Sequence, residues 1–163
     1  MVDVLTPEQR RFNMSRIRGK DTKPEMLLRR GLHALGFRFR LHRKDLPGRP
    51  DLVFPSRRAV IFMHGCFWHG HACPMCRIPA TRREFWTAKI TGNRVRDAAA
   101  TDRLRVLGWR VFVVWECALR GPARRPESDV IRRCAGFLLT SGVGEIAELT
   151  GNWASLPEEA NPG

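Results

Sequence analysis

Two hydrophobic periods alternate along the chain. Thr6, Thr22 and Thr81 each stand three residues before Gln9, Glu25 and Glu84, the spacing of a capping box, which predicts helices beginning near 7, 23 and 82. The second helix carries Met26, Leu27, Leu28, Leu32 and Leu35 and stops at Gly36; the third runs towards Gly108, with a break expected near Gly92. Between them the period falls to two: Phe37, Phe39 and Leu41 alternate with Arg38, Arg40 and His42, as in a strand with one buried face. Leu52 to Phe54 and Ala59 to Phe62 flank Pro55-Ser56-Arg57-Arg58 and read as a hairpin, while Trp109 to Trp115 reads as a further buried strand. The order helix, helix, three strands, long loop, long helix, strand, helix, with the last helix near 127–139, predicts a layered α/β or α+β domain over 1–140. Residues 141–163 are rich in Gly, Pro and Glu and lack a period, so a flexible C-terminal tail is expected there.

Composition narrows the class. With 163 residues, 43% hydrophobic and 28% charged, the chain fits one globular domain rather than a disordered or low-complexity polymer. The longest apolar runs, Ala59 to Met63 and Val111 to Trp115, are far shorter than the roughly 20 residues of a membrane span. The N-terminus shows no basic stretch leading into an apolar one, so a cytoplasmic protein without a membrane partner is expected. Twenty-nine Lys and Arg against sixteen Asp and Glu give a net charge of +13. Such a potential points to a polyanion, and the excess of Arg, whose planar fork matches phosphate and guanine, favours nucleic acid over acidic protein or lipid.

The chemistry concentrates between 47 and 76. Pro47-Gly48-Arg49-Pro50 leads into Asp51, a carboxylate at the rim of the predicted hairpin and suited to a hard cation such as Mg²⁺. Three His and three Cys follow within thirteen residues: His64, Cys66, His69, His71, Cys73 and Cys76. Thiolate and imidazole are the ligands of tetrahedral structural zinc, and a cytosolic chain keeps its thiols reduced. Cys66, His71 and Cys73 can supply three ligands, and spacing leaves Cys76 and Cys117 as rivals for the fourth. Cys134 lies on the apolar side of the last helix and reads as core. His64 and His69 suit a general base or water positioner, or else a zinc-bound or hydrogen-bonded loop histidine. Phe67, Trp68 and Trp86 are bulky aromatics beside these polar groups and can wedge between bases.

The runs Pro47-Gly48-Arg49-Pro50-Asp51, Val60 to His69, Pro79-Ala80-Thr81-Arg82, Trp109-Arg110-Val111 and Trp115-Glu116-Cys117-Ala118-Leu119-Arg120-Gly121 closely resemble very short patch repair (Vsr) endonucleases over about residues 10 to 121. The resemblance implies an α/β fold like that of the restriction endonucleases (PD-(D/E)xK type), a central mixed sheet flanked by helices, with a structural zinc. It implies a Mg²⁺-dependent nick 5′ to the thymine of a T:G mismatch left by deamination of 5-methylcytosine. By the same resemblance Asp51 and the main-chain carbonyl of Met63 hold Mg²⁺, His69 supported by His64 handles the attacking water, and Glu25 is a supporting acid. Zinc ligands fall on Cys66, His71, Cys73 and Cys117, wedging aromatics on Phe67, Trp68 and Trp86, and mismatch contacts on Lys89 and Asn93. The first helix, around Met14 and Ile17, is implied to grip the duplex from the other groove.

In that family's pattern Phe62-Met63-His64 stand where nucleases of this fold usually carry a second carboxylate and a lysine, so one carboxylate and histidines must suffice. The N3 place of Glu25 in its capping box also explains that residue structurally. Double-stranded DNA is the expected partner, with mismatch-repair proteins as candidate recruiters, and a monomer in the bacterial cytoplasm, associated with the nucleoid, is the expected form. Two rival readings remain at this level: a zinc-stapled module that binds distorted duplex without cutting, and a sibling nuclease of the same fold with another target.

Overall fold

A computed structural model describes residues 5–17 and 19–155. Helix α1 spans Pro7–Ser15, and its capping box is complete: Thr6 accepts from the Gln9 amide and the Gln9 side chain accepts from the Thr6 amide. Helix α2, Lys23–Ala34, keeps half of the expected box. The Thr22 hydroxyl accepts from the Glu25 amide, but the Glu25 carboxylate turns to the Asp21 amide instead of the Thr22 one. Leu28 and Leu32 are completely buried on its inner face.

Five strands form one mixed sheet in sequential order: β1 (Arg40–Leu41), β2 (Leu52–Phe54), β3 (Ala59–His64), β4 (Arg110–Trp115) and β5 (Ile146–Leu149). The first two pairings are antiparallel and the last two parallel. The β2–β3 turn closes through a 3-10 turn, with Arg58 in the left-handed region at φ 48°. A parallel pair cannot be joined by a tight turn, and the connection from β3 to β4 is the long helix α3, Arg83–Val106. Helix α4, Glu127–Leu139, then leads to the edge strand.

Alternation along the strands sends side chains to two cores. Ile61, Phe112 and Val114 pack with Leu28, Leu32, Val130 and Cys134 of α2 and α4. Val60, Phe62, Val111, Val113 and Trp115 pack on the other face, with Leu104 of α3. The result is helix, sheet, helix. Buried Arg110 ties the layers at one end: its guanidinium donates to Phe137 O (2.6 Å) and Leu138 O (3.4 Å), satisfying carbonyls of the last turn of α4, and stacks over the Phe137 ring. Among the described residues no helix is long and apolar enough to cross a membrane.

Four expectations are corrected. Phe37 and Phe39 pack against the core as their alternation implies, but ladder pairing begins only at Arg40, because burial and backbone pairing are separate properties. Thr81 does not cap α3: Arg82 adopts the left-handed conformation at φ 56° and the helix starts without a side-chain cap. No break occurs at Gly92, which stays within α3. The tail does not begin at 141, since Ile146–Leu149 joins the sheet beside β4; residues 156–163 lie outside the described part.

Candidate active site and metal centre

Asp51 sits immediately before β2, opposite β3, and its carboxylate has a neighbour on each side. Oδ2 accepts from the Met63 amide at 2.7 Å, and Oδ1 lies 3.6 Å from His42 Nδ1. Among the described residues no Lys or Arg pairs with it. Burial pushes its carboxyl up to about 6, against the pull of the Met63 hydrogen bond. A part-buried carboxylate with no Lys or Arg on it among the described residues is a receptive cation ligand.

Across the same cleft, of about 750 Å³, stand His64, His69 and Asp97, with Lys20, Lys44, Arg49 and Arg96 also lining it. His69 Nδ1 lies 2.6 Å from Asp97 Oδ2, and a ring that donates from Nδ1 to a carboxylate carries its lone pair, when neutral, on Nε2. His64, at the end of β3, stacks face to face on His69 with centroids 3.8 Å apart and planes within 1°. Burial, reinforced by His69, lowers the His64 pKa to about 3, so His64 is neutral at working pH. Gly48, at φ 74°, lets the Pro47–Asp51 loop approach: a Cβ there would stand 2.9 Å from Ala100 of α3.

Just beyond β3 the loop turns back on itself, with the Cys66 carbonyl accepting from the His71 amide (3.0 Å) and Gly70 at φ 62°. A Cβ at Gly70 would stand 2.7 Å from Ile90 and Arg94, so glycine between the two histidines seats the loop on α3. Cys66, His71, Cys73 and Cys117 place one ligand atom each within 4.8 Å of all the others and could hold a metal ion. His71 Nδ1 is 3.7 Å from Cys66 Sγ and 3.6 Å from Cys117 Sγ. The hydrogen bond between the two thiols lowers Cys117 to about 6 and raises Cys66, so one proton is shared and loss of the second awaits a cation. Cys76 is not in this group; its Sγ faces the Phe67 carbonyl at 4.0 Å. Of the two rivals that spacing left open, the structure brings Cys117 and not Cys76 into this group. Cys134 is buried in the core, as its place on α4 predicted.

Phe67, Trp68 and Trp86 form one edge-to-face cluster with centroids 5.1–6.0 Å apart. Lys89 Nζ lies 5.7 Å from the ring centroids of both Trp68 and Trp86. Asn93, implied to touch the mismatch, donates to the Trp68 carbonyl at 2.8 Å and accepts from Arg96, so its amide braces the aromatics against the cleft. Met14 and Ile17 are exposed at the far end of α1, a helix that buries none of its residues.

Three residues with clear parts in this arrangement were given no role by the sequence. Asp97 orients His69; Glu116 accepts from the Cys66 amide (3.2 Å) and from Arg120 (2.7 Å), anchoring the loop of the candidate ligands; and His42 stands beside Asp51. Asp97 sits on the arginine-rich α3, where it reads as a helix-face charge. Glu116 lies within a resemblance motif, which marked it without saying what it does.

An acid and a carboxylate-paired imidazole face one cationic cleft of a mixed α/β fold, groups of the kind that can hold a metal and move a proton at a phosphodiester. The chain belongs to the Vsr family of DNA mismatch endonucleases. The family model described as DNA mismatch endonuclease Vsr matches residues 2–75. The DNA mismatch endonuclease Vsr of Escherichia coli (strain K12) is 42% identical over 93% of this chain and 97% of its own length. The type II nicking enzyme V.XorIIP of Xanthomonas oryzae pv. oryzae is 56% identical over 73% of this chain and 88% of its own. V.NmeAIP of Neisseria meningitidis serogroup A, another type II nicking enzyme, is 44% identical over 76% and 88%.

Proposed function

We propose that this protein nicks one strand of duplex DNA 5′ to the thymine of a T:G mismatch and so starts very short patch repair. The observation that carries the reading is the meeting of Asp51 with the Asp97-oriented His69 in one cleft edged by four cations. Asp51 and the Met63 main-chain carbonyl are the groups that would hold Mg²⁺, and the part-buried Asp51 carboxylate, with no Lys or Arg on it among the described residues, fits a cation there. Bound Mg²⁺ supplies charge neutralisation at the phosphate and a more acidic water. His69 Nε2 takes the proton from the attacking water as the water oxygen bonds to phosphorus and the bond from phosphorus to the 3′ oxygen breaks, the leaving oxygen taking its proton from solvent. His64, neutral and stacked, keeps the His69 ring in plane, and Asp97 stabilises the imidazolium that forms.

The second metal is read as structural zinc. Zn–S near 2.3 Å and Zn–N near 2.0 Å set a tetrahedral S···N edge of about 3.5 Å, which the 3.7 and 3.6 Å Cys66–His71 and Cys117–His71 separations approach. The antiparallel hairpin bearing Asp51 at its rim, followed by a helical crossover into a parallel strand, supports the restriction-endonuclease-like fold that the resemblance implies. The aromatic cluster with Lys89 is read as the mismatch wedge, and the unburied α1 with Met14 and Ile17 as a DNA grip. One cleft for one strand suits a monomer acting on the bacterial chromosome in the cytoplasm, with mismatch-repair proteins as candidate recruiters.

The test is strand nicking of labelled duplexes carrying T:G, T:A or C:G at one position in varied flanks, with Mg²⁺ or EDTA and with Asp51→Ala beside the natural protein. A Mg²⁺-dependent nick in the T strand alone, absent from Asp51→Ala, is the expected result. Binding without cutting in every context, or equal cutting of matched DNA, would overturn the reading.

A further inference from the structure

Glu25, the supporting acid of the family resemblance, is 2% exposed and does not line the cleft. Both of its oxygens are engaged. Oε2 accepts from the Asp21 amide at 2.9 Å, while Oε1 takes the Arg29 guanidinium and lies 2.8 Å from His42 Nε2. His42 does line the cleft. Its other ring nitrogen, Nδ1, stands 3.6 Å from Asp51 Oδ1, and its main-chain amide donates to the Asp51 carbonyl at 3.4 Å. The residue holds this place with φ at 45°, in the left-handed region that a residue with a Cβ enters rarely, though histidine does so more often than most.

The two Asp51 oxygens are therefore in different circumstances. Oδ2 is fixed by the Met63 amide, while Oδ1 is flanked by an imidazole too far away to be a hydrogen bond yet near enough to limit rotation of the carboxylate. Among the described residues Oδ1 accepts no hydrogen bond, and Asp51 lines the cleft.

We propose that His42 is a positioning residue for this site: it sets the plane of the Asp51 carboxylate towards its cation and ties it to the Glu25–Arg29 pair. Glu25 then acts through His42 and never on the ion itself. The inference rests on the reading of Asp51 as the Mg²⁺ ligand.

The test compares the natural protein with His42→Leu, which fills the space without polar contacts, and His42→Gln, whose amide can still donate to Glu25. Two midpoints are measured: uptake of Mn²⁺ by the DNA-free protein, followed through the EPR signal of the free ion with Asp51→Ala as baseline, and the Mg²⁺ concentration for half-maximal nicking. Loss of an outer-shell partner weakens metal binding about 10- to 100-fold. His42→Leu is expected to raise both midpoints at least tenfold by that scale, with KM for DNA within about twofold, and His42→Gln to return within about threefold of the natural protein. Unchanged midpoints in His42→Leu, a glutamine variant no better than leucine, or an effect confined to KM would overturn the proposal. Should the leucine variant not fold, His42→Asn serves instead; asparagine tolerates the left-handed backbone but is too short to reach both partners, and it should show the same metal loss. If the natural protein takes up Mn²⁺ at Asp51 but does not nick, the catalytic reading fails and the Mn²⁺ arm alone decides the role of His42. If it takes up none, both fall.

Discussion

His69 and Asp97, 28 residues apart in the chain, share a 2.6 Å hydrogen bond that chooses which imidazole nitrogen is free to accept a proton. Asp97→Asn keeps the size of the side chain but removes the negative charge that favours the imidazolium. General-base catalysis is worth roughly 10² to 10⁴ in rate, and we expect single-turnover nicking to slow by about 10²-fold or more with DNA affinity little changed. A rate within threefold of the natural protein would exclude this role for Asp97.

Asp51 links function to stability. Its folded carboxyl, near 6, lies above its ordinary value of 3.8, so the fold favours the protonated form. Above pH 6 the natural protein carries the whole cost of the buried charge; the cost shrinks as pH falls from 6 towards 4 and is absent below. At about 1.4 kcal/mol per pKa unit this approaches 3 kcal/mol. In EDTA at pH 8, Asp51→Asn should therefore melt several degrees above the natural protein, with the two curves converging by pH 4. A melting series at pH 8, 6 and 4 checks it, and a variant less stable at pH 8 would contradict the assignment.

Metal analysis distinguishes the thiols. Cys76→Ser should retain one tightly bound zinc per chain by mass spectrometry, whereas Cys117→Ser should lose it, along with thermal stability. Removing the ion from the natural protein with a strong chelator should act likewise, because Cys117 Sγ also accepts from the Gly151 amide at 3.2 Å and so ties β5's end to β4's. Equal zinc content in the two variants would show that the four-residue group is not the site.

The aromatic cluster is tested through discrimination. Stacking of an aromatic on a base contributes about 1–3 kcal/mol; Trp68→Ala should cut the preference for T:G over T:A duplex by tenfold or more in competition binding. Preserved preference would point instead to a sibling nuclease with another target.

Much of this arrangement is legible in the sequence where side-chain chemistry and period coincide. Trp109 to Trp115 announces β4 because every position from 110 to 115 is buried, and Asp51 stands out because it breaks into a hydrophobic hairpin. Ile146–Leu149 is silent for the opposite reason: only Leu149 is buried, and what makes it a strand is backbone pairing to β4. Asp97 and His42 are invisible because each acquires its meaning from a partner on another element. Thr81 carries a capping signal that fails because the chain turns through Arg82 before the helix begins.

The parallel register of β3 and β4 sets His64 opposite Trp115. Cys66 and Cys117 each lie two residues beyond that pair, so the sulfurs meet only when the two strands are aligned as they are here. A slip of one residue would put Cys66 level with Glu116 or Ala118 and scatter the ligands. The cluster thus audits the central pairing of the sheet: a chain that folded out of step could not bring these four side chains within reach of a single ion.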